Sequence, residues 1–487
     1  MRQRLFILVG LFLLLALCPA RAKAAVNLVN HCVAGNNAQG TGGGNALVCS
    51  LINTTSGNKI IVGVKSSAAD TYSITCTEAC SCPGPATTGH NFSGFQHNLS
   101  ICFVDTASSH AQFTITFTIN TNAASARSTY LEGFEYSGLA AGSDGPSASA
   151  AFANTVNFTT ANANEFAFSY GSDQAISLAP AGSNTQISQV LFADPGFGYQ
   201  VLDMTQSTAA AGTYTANFTS GSSGGVTFVA VIAFVRSGGS PVPTTHIVQT
   251  CSVIGASSVV GQVQCFLYNT LAGNKIVIGA GGKDTATGTC AITGESCFCP
   301  SGSFANHAYA ISFTINACYA DQASNHATNA VSYNASVGTS PVFFANFYEV
   351  AGLQAGVDVG SEAAAAATTV NYTTAVSNEW TFTVGIDTAS ANPMTPGNSF
   401  LPLTTITSDP TKTPNIQGFS AAKITSGSGS NTTSFSLTGS STPMIATLSF
   451  GAGTRVRHRA QVIKWNGTHI YRIPWDRPRK FMELETT

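Results

Sequence analysis

The sequence predicts an all-β protein made of two tandem antiparallel β-sandwich domains, jelly-roll-like in their winding and stapled by disulfides. Three observations lead to this prediction. Short runs alternate apolar residues with threonine, six cysteines occur twice in the same order, and a series of motifs returns after about two hundred residues. No stretch has the long amphipathic period of a helix.

Length and composition support two exported domains. A chain of 487 residues is too long for one ordinary core. Apolar residues make up 44% of it, whereas charged residues reach only 9%, against about 25% in a typical soluble protein. Serine, threonine, asparagine and glycine must therefore provide solubility. This composition is typical of extracellular β-proteins.

The domain boundaries follow from local composition. Residues 1–24 combine Arg2 and Arg4 with an apolar run and small residues, which predicts a cleavable signal peptide. The first repeat is expected at 25–236 and the second at 246–453. A Gly, Ser and Pro-rich linker, 237–245, separates them. We expect a secreted or cell-surface protein with no transmembrane segment after signal removal.

The two repeats match in motif order. Residues 56–63 return at 272–279, 105–111 at 321–327 and 135–139 at 349–353. Within a repeat, residues 112–119 alternate large apolar side chains with threonine, as in a half-buried strand. Glycine, serine and asparagine clusters separate such runs. Many short strands with turn-rich connections indicate sandwiches.

Twelve cysteines follow the signal peptide in two sets of six, each with a Cys-x-Cys pair. An even set in an exported chain predicts three disulfides per repeat, although fifteen pairings are possible for each set. A thiolate metal site is the alternative, but the paired spacing of common zinc sites is missing. The sets are Cys32, Cys49, Cys76, Cys80, Cys82 and Cys102, then Cys251, Cys265, Cys290, Cys297, Cys299 and Cys318.

Charge is distributed unevenly. Residues 25–453 carry eight Lys or Arg against nineteen Asp or Glu, while 454–487 carry eight Lys or Arg. This basic tail could dock on a partner, an anionic polymer or its own acidic body. A poorly packed extension and a reading-frame error are the alternatives. The acidic body disfavours nucleic-acid binding, and no phosphate-binding or dinucleotide motif occurs.

A repeated Asp-x-Ala-Ser-x-His segment contains the residue types of a hydrolytic triad. In a triad, the base and the nucleophile meet from different elements, whereas these residues share one segment between two predicted strands. We therefore expect a turn, with a weak ligand or metal site as the alternative. The residues are Asp105, Ser108 and His110, then Asp321, Ser324 and His326.

Other carboxylates were candidates for acid catalysis or cation binding. Glu132 and Glu135 would point to opposite faces of one strand, which argues against a glycosidase pair. Glu165 and Glu379 each follow an asparagine and precede an aromatic strand, which predicts exposed turn ends. Glu349 corresponds to Glu135 of the first repeat. Asp144 and Asp358 stand in glycine-rich loops, where calcium is the candidate ion. No other cofactor is expected.

Residues 130–139, the following Asp144-Gly145 and the strand at 212–216 resemble uncharacterised exported bacterial proteins with tandem β-sandwiches and an "EYSGL" strand motif. The second repeat departs from this motif, with Val350 and Ala351 in place of Tyr and Ser. The resemblance implies a β-sandwich on an exported or surface protein and supplies no catalytic residues.

Two functional hypotheses follow from the sequence. The first is a non-catalytic structural or adhesive protein whose partner is another copy of itself or a cell-surface polymer. The second is a carbohydrate-binding tandem module, because sandwiches often present an aromatic face to glycans. The candidate aromatic residues for such a face are Tyr130, Phe134 and Tyr136.

Overall fold

The fold was analysed in a computed structural model, and every regular element that it describes is a strand. It describes residues 26–36, 45–66, 71–83, 98–120, 129–144, 147–151, 153–173, 178–193, 199–220, 228–237, 245–256, 262–285, 288–307, 311–334, 337–358, 361–387, 394–397, 399–407, 417–437, 443–451, 463–465 and 470–472. The predicted signal peptide and most of the predicted linker and tail lie outside these residues. The all-β class is confirmed, and no helix capable of crossing a membrane occurs in the described ranges.

Each repeat divides into two quarters. Quarter A contains β1 (Asn27–Asn36), β2 (Asn45–Thr54), β3 (Lys59–Ser66), β4 (Thr71–Cys76), β5 (Asn98–Asp105), β6 (His110–Asn120) and β7 (Thr129–Ser137). Quarter B contains β8 (Ala148–Ala151), β9 (Thr155–Thr160), β10 (Phe166–Asp173), β11 (Leu178–Pro180), β12 (Thr185–Ala193), β13 (Tyr199–Ser207), β14 (Gly212–Ser220) and β15 (Phe228–Phe234).

The second repeat is built in the same way. Quarter C contains β16 (His246–Ala256), β17 (Gln262–Thr270), β18 (Lys275–Thr285), β19 (Thr289–Ile292), β20 (Phe298–His307), β21 (Ile311–Asp321), β22 (His326–Asn334) and β23 (Val337–Ala351). Quarter D contains β24 (Ala363–Ala365), β25 (Thr369–Thr374), β26 (Glu379–Asp387), β27 (Thr395–Pro396), β28 (Leu401–Thr407), β29 (Gln417–Ile424), β30 (Gly429–Ser436) and β31 (Met444–Gly451). A hairpin of β32 (Ile463–Trp465) and β33 (Ile470–Arg472) follows.

Two large sheets form the centre of the molecule. Sheet I has the order β24-β31-β26-β29-β28-β1-β7-β3-β5 and therefore joins quarter D to quarter A. Sheet II has the order β20-β21-β18-β23-β16-β12-β13-β10-β15-β8 and joins quarter C to quarter B. The joints are two parallel strand pairs, β1 with β28 and β12 with β16.

These joints change the predicted domain organisation. The sequence predicted two sandwiches in tandem, each complete in itself, at 25–236 and 246–453. In the structure both large sheets contain strands of both repeats, so the tandem arrangement is not confirmed. The linear pattern marks which residues form strands and which faces are apolar, but it carries no information about which strands become neighbours across sheets.

The main core lies between sheets I and II. Aromatic rings meet there across the two sheets, with Phe134 against Phe168 at 5.4 Å and Tyr348 against Phe382 at 5.8 Å between ring centroids. Four three-stranded sheets cover the outer faces, one per quarter, and each encloses a smaller core. The outer sheets are β2-β6-β4, β9-β14-β11, β17-β22-β19 and β25-β30-β27.

Strand direction places the turns of both repeats at one end of the molecule. Because β1 and β28 run parallel, as do β12 and β16, equivalent ends of the two repeats point the same way. At this end, called here the turn end, β1, β16 and β28 begin and β7, β15 and β31 finish. The candidate ligand residues lie close to this end; they are Asp105, His110, Asp144, Asp321, His326 and Asp358.

Candidate functional site

Five carboxylates of repeat 1 lie at the turn end, and all five have equivalents in repeat 2. Each of the ten accepts a hydrogen bond from a backbone amide of a neighbouring turn or loop, and the amide is the equivalent one in both repeats. The carboxylates are Glu78, Asp105, Glu135, Asp144 and Glu165, then Glu295, Asp321, Glu349, Asp358 and Glu379.

The repeated Asp-x-Ala-Ser-x-His segment forms the turn between β5 and β6 and does not assemble a triad. His110 contacts Glu78, with 2.6 Å between Nε2 and Oε1. Glu78 also accepts hydrogen bonds from the amides of Ala107 and Ser108. Burial acts to raise the pKa of Glu78, but these amides and His110 outweigh it and lower the pKa. The same contacts connect Glu295 with Ala323, Ser324 and His326.

Asp105, the acidic residue of that segment, has a different partner. Lys59 stands opposite it on β3, and its Nζ contacts Asp105 Oδ1 and donates to Gly142 O at 2.9 Å. The amide of Gly142 donates to Asp105 Oδ2 at 2.7 Å. Burial lowers the pKa of Lys59, and Asp105 opposes this effect. Lys275, Asp321 and Gly356 make the same three contacts.

Glu135 accepts two hydrogen bonds from the turn between β2 and β3. Its Oε1 accepts from the amide of Thr55 at 2.8 Å and from Asn58 Nδ2 at 2.6 Å. Gly57 takes a φ of 82° in this turn, a conformation that favours glycine. In repeat 2, Glu349 accepts from Leu271 and Asn274 in the same way. Burial raises the pKa of Glu135, and the hydrogen bonds from Thr55 and Asn58 oppose this rise.

Asp144 and Glu165 form a pair of carboxyl groups. Burial, followed by the hydrogen bond to Asp144, raises the pKa of Glu165 to about 7, so the proton of the pair resides on Glu165. That hydrogen bond in turn lowers the pKa of Asp144. Asp358 and Glu379 repeat the pair, and the pKa of Glu379 is also raised to about 7, chiefly by burial.

The donors around Asp144 do not favour the expected calcium site. Its oxygens accept from the amide of Ala161 at 2.6 Å and from Asn162 Nδ2 at 3.0 Å. Calcium takes six to eight oxygen ligands, whereas these neighbours present N–H groups. Asp358 likewise accepts from the amide of Ala375. The prediction of exposed turn ends for Glu165 and Glu379 was wrong, because both are fully buried. The sequence also did not predict the pairing of Asp144 with Glu165, since 21 positions separate the two residues.

A second group of ionisable side chains lies in the main core of repeat 1. Glu132 Oε2 is 3.2 Å from His31 Nε2, and Asp203 approaches Glu132 from sheet II. All three residues are fully buried. Burial raises the pKa of Asp203 well above its ordinary value, and the nearby Glu132 adds to the effect. The sequence pattern related Glu132 only to Glu135 on the same strand and did not indicate its contacts with His31 and Asp203.

Repeat 2 fills the same positions with neutral polar residues. Thr250, Asn346 and Ser420 replace His31, Glu132 and Asp203. Asn346 Nδ2 donates to Ser420 Oγ at 3.1 Å, and Ser252 Oγ donates to Asn346 Oδ1 at 2.8 Å. The replacement of these three residues of repeat 1 by uncharged ones on matching strands was the sequence signal for this group.

The cysteine pairs lie at disulfide distances, three in each repeat. Each set joins its first to its second cysteine, its third to its fourth and its fifth to its sixth, so the Cys-x-Cys pairs belong to two different bridges. The pairs are Cys32–Cys49, Cys76–Cys80, Cys82–Cys102, Cys251–Cys265, Cys290–Cys297 and Cys299–Cys318. Cys290, Cys299 and Cys318 also lie within 4.8 Å of one another, because two bridges are adjacent. So many bridges indicate an oxidising environment.

The aromatic residues considered for a glycan-binding face lie in the core. Tyr130, Phe134 and Tyr136 are at most 2% exposed and belong to the cluster between sheets I and II. A small cavity of about 200 Å³ opens at the turn end, between the starts of β1 and β16. Mostly apolar side chains line it, including Leu28, Phe166 and Ile187, with His246 among the polar ones.

The chain was also compared with known proteins. No protein-family model matches it, and no curated protein matches its sequence.

Proposed function

We propose that this chain is a secreted, non-catalytic structural or adhesive protein of the extracellular space or cell surface. The observation that carries the proposal is that five carboxyl groups of repeat 1 and their five equivalents in repeat 2 all bind backbone amides at the turn end. Each accepts a hydrogen bond from a backbone amide of a turn or loop, so these carboxyl groups, whether charged or protonated, hold the turn end in one shape. Glu165 and Glu379 have a pKa of about 7, which would suit proton transfer, but both are fully buried and therefore poorly placed to reach a substrate.

The covalent framework supports the same proposal. Six disulfides bring the outer strands, loops and large sheets together, which suits a protein exposed to proteases and mechanical load outside the cytosol. We infer that each quarter is a jelly-roll unit, because strands alternate between a large and an outer sheet in the same order in quarters B, C and D. The resemblance to exported tandem sandwich proteins agrees with this inference.

Surface association is the first test. The full chain, expressed in its host, is expected in the washed cell-surface fraction and as assemblies by electron microscopy and analytical ultracentrifugation. A monomer found only in the medium would contradict the proposal. A glycan array that gives a strong binder would favour the carbohydrate-binding alternative, which no described aromatic face supports.

A catalytic role is tested separately. Asp105→Ala and His110→Ala variants are assayed against ester, peptide and glycoside substrates beside the parent protein. We expect no turnover by the parent. Activity in the parent that disappears in a folded His110→Ala variant would overturn the non-catalytic assignment.

A further inference from the structure

The turn end of repeat 2 exposes apolar side chains where repeat 1 exposes polar ones. Five such residues, each about half exposed, are Leu271, Phe298, Val376, Leu401 and Ile424. The equivalent positions of repeat 1 are Thr55, Ser81, Asn162, Thr185 and Ser207, and all five are exposed. Several exposed apolar residues at one end of one copy, where the other copy is polar, are a candidate contact surface.

Four of these residues lie on strands and turns at the end of the sandwich at which β31 finishes. Leu401 lies on β28 beside Ala422, two positions before Ile424 on β29, and Ile424 pairs with Trp380. The amide of Asn378, in the same turn as Val376, donates to Thr425 O. Phe298, Val376, Leu401 and Ile424 are called here the apolar face of repeat 2.

Aromatic contacts connect Phe298 to the same place. Its ring is 5.7 Å from that of Tyr319, which is 5.5 Å from Phe450 between ring centroids. Phe450 is also 6.1 Å from Trp380, the cross-strand neighbour of Ile424. Gly451, the last residue of β31, directly follows Phe450. The last described residue before the tail, Gly451, therefore lies between Phe298 and Ile424.

The segment that follows Gly451 has a composition suited to the apolar face and to the acidic residues of 25–453. Residues 452–487 contain Ile463, Trp465, Ile470, Tyr471 and Trp475, which can cover an apolar surface. They carry eight Lys or Arg and three Asp or Glu, whereas residues 25–453 carry nineteen acids and eight bases. Repeat 1 is followed by the linker to repeat 2 and keeps polar residues at the equivalent positions.

We propose that residues 452–487 dock on the apolar face of repeat 2 of the same chain, and that the attraction between their basic residues and the acidic residues of 25–453 favours this docking. This proposal goes beyond the structural role and does not depend on it. Docking buries the four apolar side chains and holds the tail against the molecule. It also gives a reason for the differences in polarity between the repeats.

Limited trypsin digestion of the oxidised full-length mature protein tests the docking. The triple variant Val376→Asn, Leu401→Thr, Ile424→Ser carries the residues of repeat 1. We expect cleavage after Arg455, Arg457 and Arg459 to accelerate about tenfold or more, because cleavage follows the population of the open segment. Val48→Gln is the matched control. It replaces an exposed valine on β2 by the residue of repeat 2, Gln264, and should leave the cleavage rate unchanged.

Three results would overturn the proposal. The first is immediate cleavage of the tail in the parent protein, or its absence from the mature protein by intact mass. The second is a tail cleavage rate that is the same in the parent and in the triple variant, when both show the same thermal unfolding. The third is a parent dimer that the triple variant dissociates without any change in tail cleavage, which would assign the apolar face to a second copy.

Discussion

At the residue scale, Glu165 and Glu379 show how an equivalent environment recurs in both repeats. Each carboxyl is fully buried beside an aspartate, and its pKa is raised to about 7 from an ordinary 4.5. The folded protein therefore binds a proton that the unfolded chain has already released at intermediate pH. The stability that this proton contributes is fully present below about pH 4.5 and is lost as the pH rises to about 7.

We expect Glu165→Gln to reduce the loss of stability between pH 4.5 and 7, because glutamine resembles the protonated carboxyl at every pH. Urea unfolding at a series of pH values measures the effect. Glu379→Gln should behave alike, and the two changes should add, since the sites are in different repeats. A pH profile in the double variant that matches the parent would contradict the raised pKa values.

The buried group of His31, Glu132 and Asp203 belongs to the same scale. Asp203 has a raised pKa because it is buried beside Glu132, so it too destabilises the fold as the pH rises. The slope cannot exceed about 1.4 kcal/mol per pH unit for one such proton. Repeat 2 has Asn346 and Ser420 at the equivalent positions. Neither side chain titrates, so these positions do not lower the stability of repeat 2 as the pH rises.

Asp203→Asn should therefore flatten the dependence of the unfolding free energy on pH above pH 4. Equilibrium unfolding in urea from pH 4 to 8 provides the measurement. Ser420→Ala, at the equivalent position, serves as the control, because it removes a hydroxyl that does not titrate and should leave the pH dependence as it is. An Asp203→Asn profile as steep as that of the parent would be evidence against this account.

At the scale of elements, the turns of both repeats depend on side chains that are distant in sequence. Glu135 lies at the end of β7 but fastens the turn between β2 and β3, about 80 residues earlier. Gly57 takes a positive φ in this turn, and Gly273 does so in the equivalent turn of repeat 2. The sequence could not show that Glu135 caps the first of these turns, because that contact depends on β7 pairing with β3.

Glu135→Ala is expected to destabilise the protein by about 1–3 kcal/mol, since it leaves the Thr55 amide and the Asn58 side chain without their acceptor. Glu135→Gln keeps an acceptor oxygen and should cost clearly less. Chemical denaturation of the two variants beside the parent distinguishes them. Equal losses for alanine and glutamine would show that packing, and not the hydrogen bonds, matters at this position.

At the scale of the whole molecule, the shared sheets make the repeats depend on each other. Strand β28 of repeat 2 lies between β29 and β1, so sheet I is continuous through it. The side chains of Thr404 and His31 approach each other there although 373 positions separate them. We therefore expect the two repeats to unfold together, in contrast to two independent tandem domains.

Thr405→Pro, in the middle of β28, should destabilise both repeats by about 3 kcal/mol or more, because proline removes a ladder hydrogen bond in a central strand. Hydrogen exchange monitored by mass spectrometry would then show lost protection in β7 as well as β29. Ala364→Pro, on the edge strand β24, is the matched control and should have a local effect. Loss of protection confined to repeat 2 in Thr405→Pro would indicate independent units.

The sequence by itself determined the all-β class, the duplication and the two sets of six cysteines, because strand periodicity and residue spacing are local properties. It also placed the Asp105 and His110 segment in a turn. Only the tertiary structure decided that β1 pairs with β28, that Asp105 contacts Lys59 while His110 contacts Glu78, and that Glu132 meets Asp203 in the core. Such contacts depend on the packing of sheets formed by residues far apart in the chain, and a linear pattern specifies the face of a strand but not its neighbours.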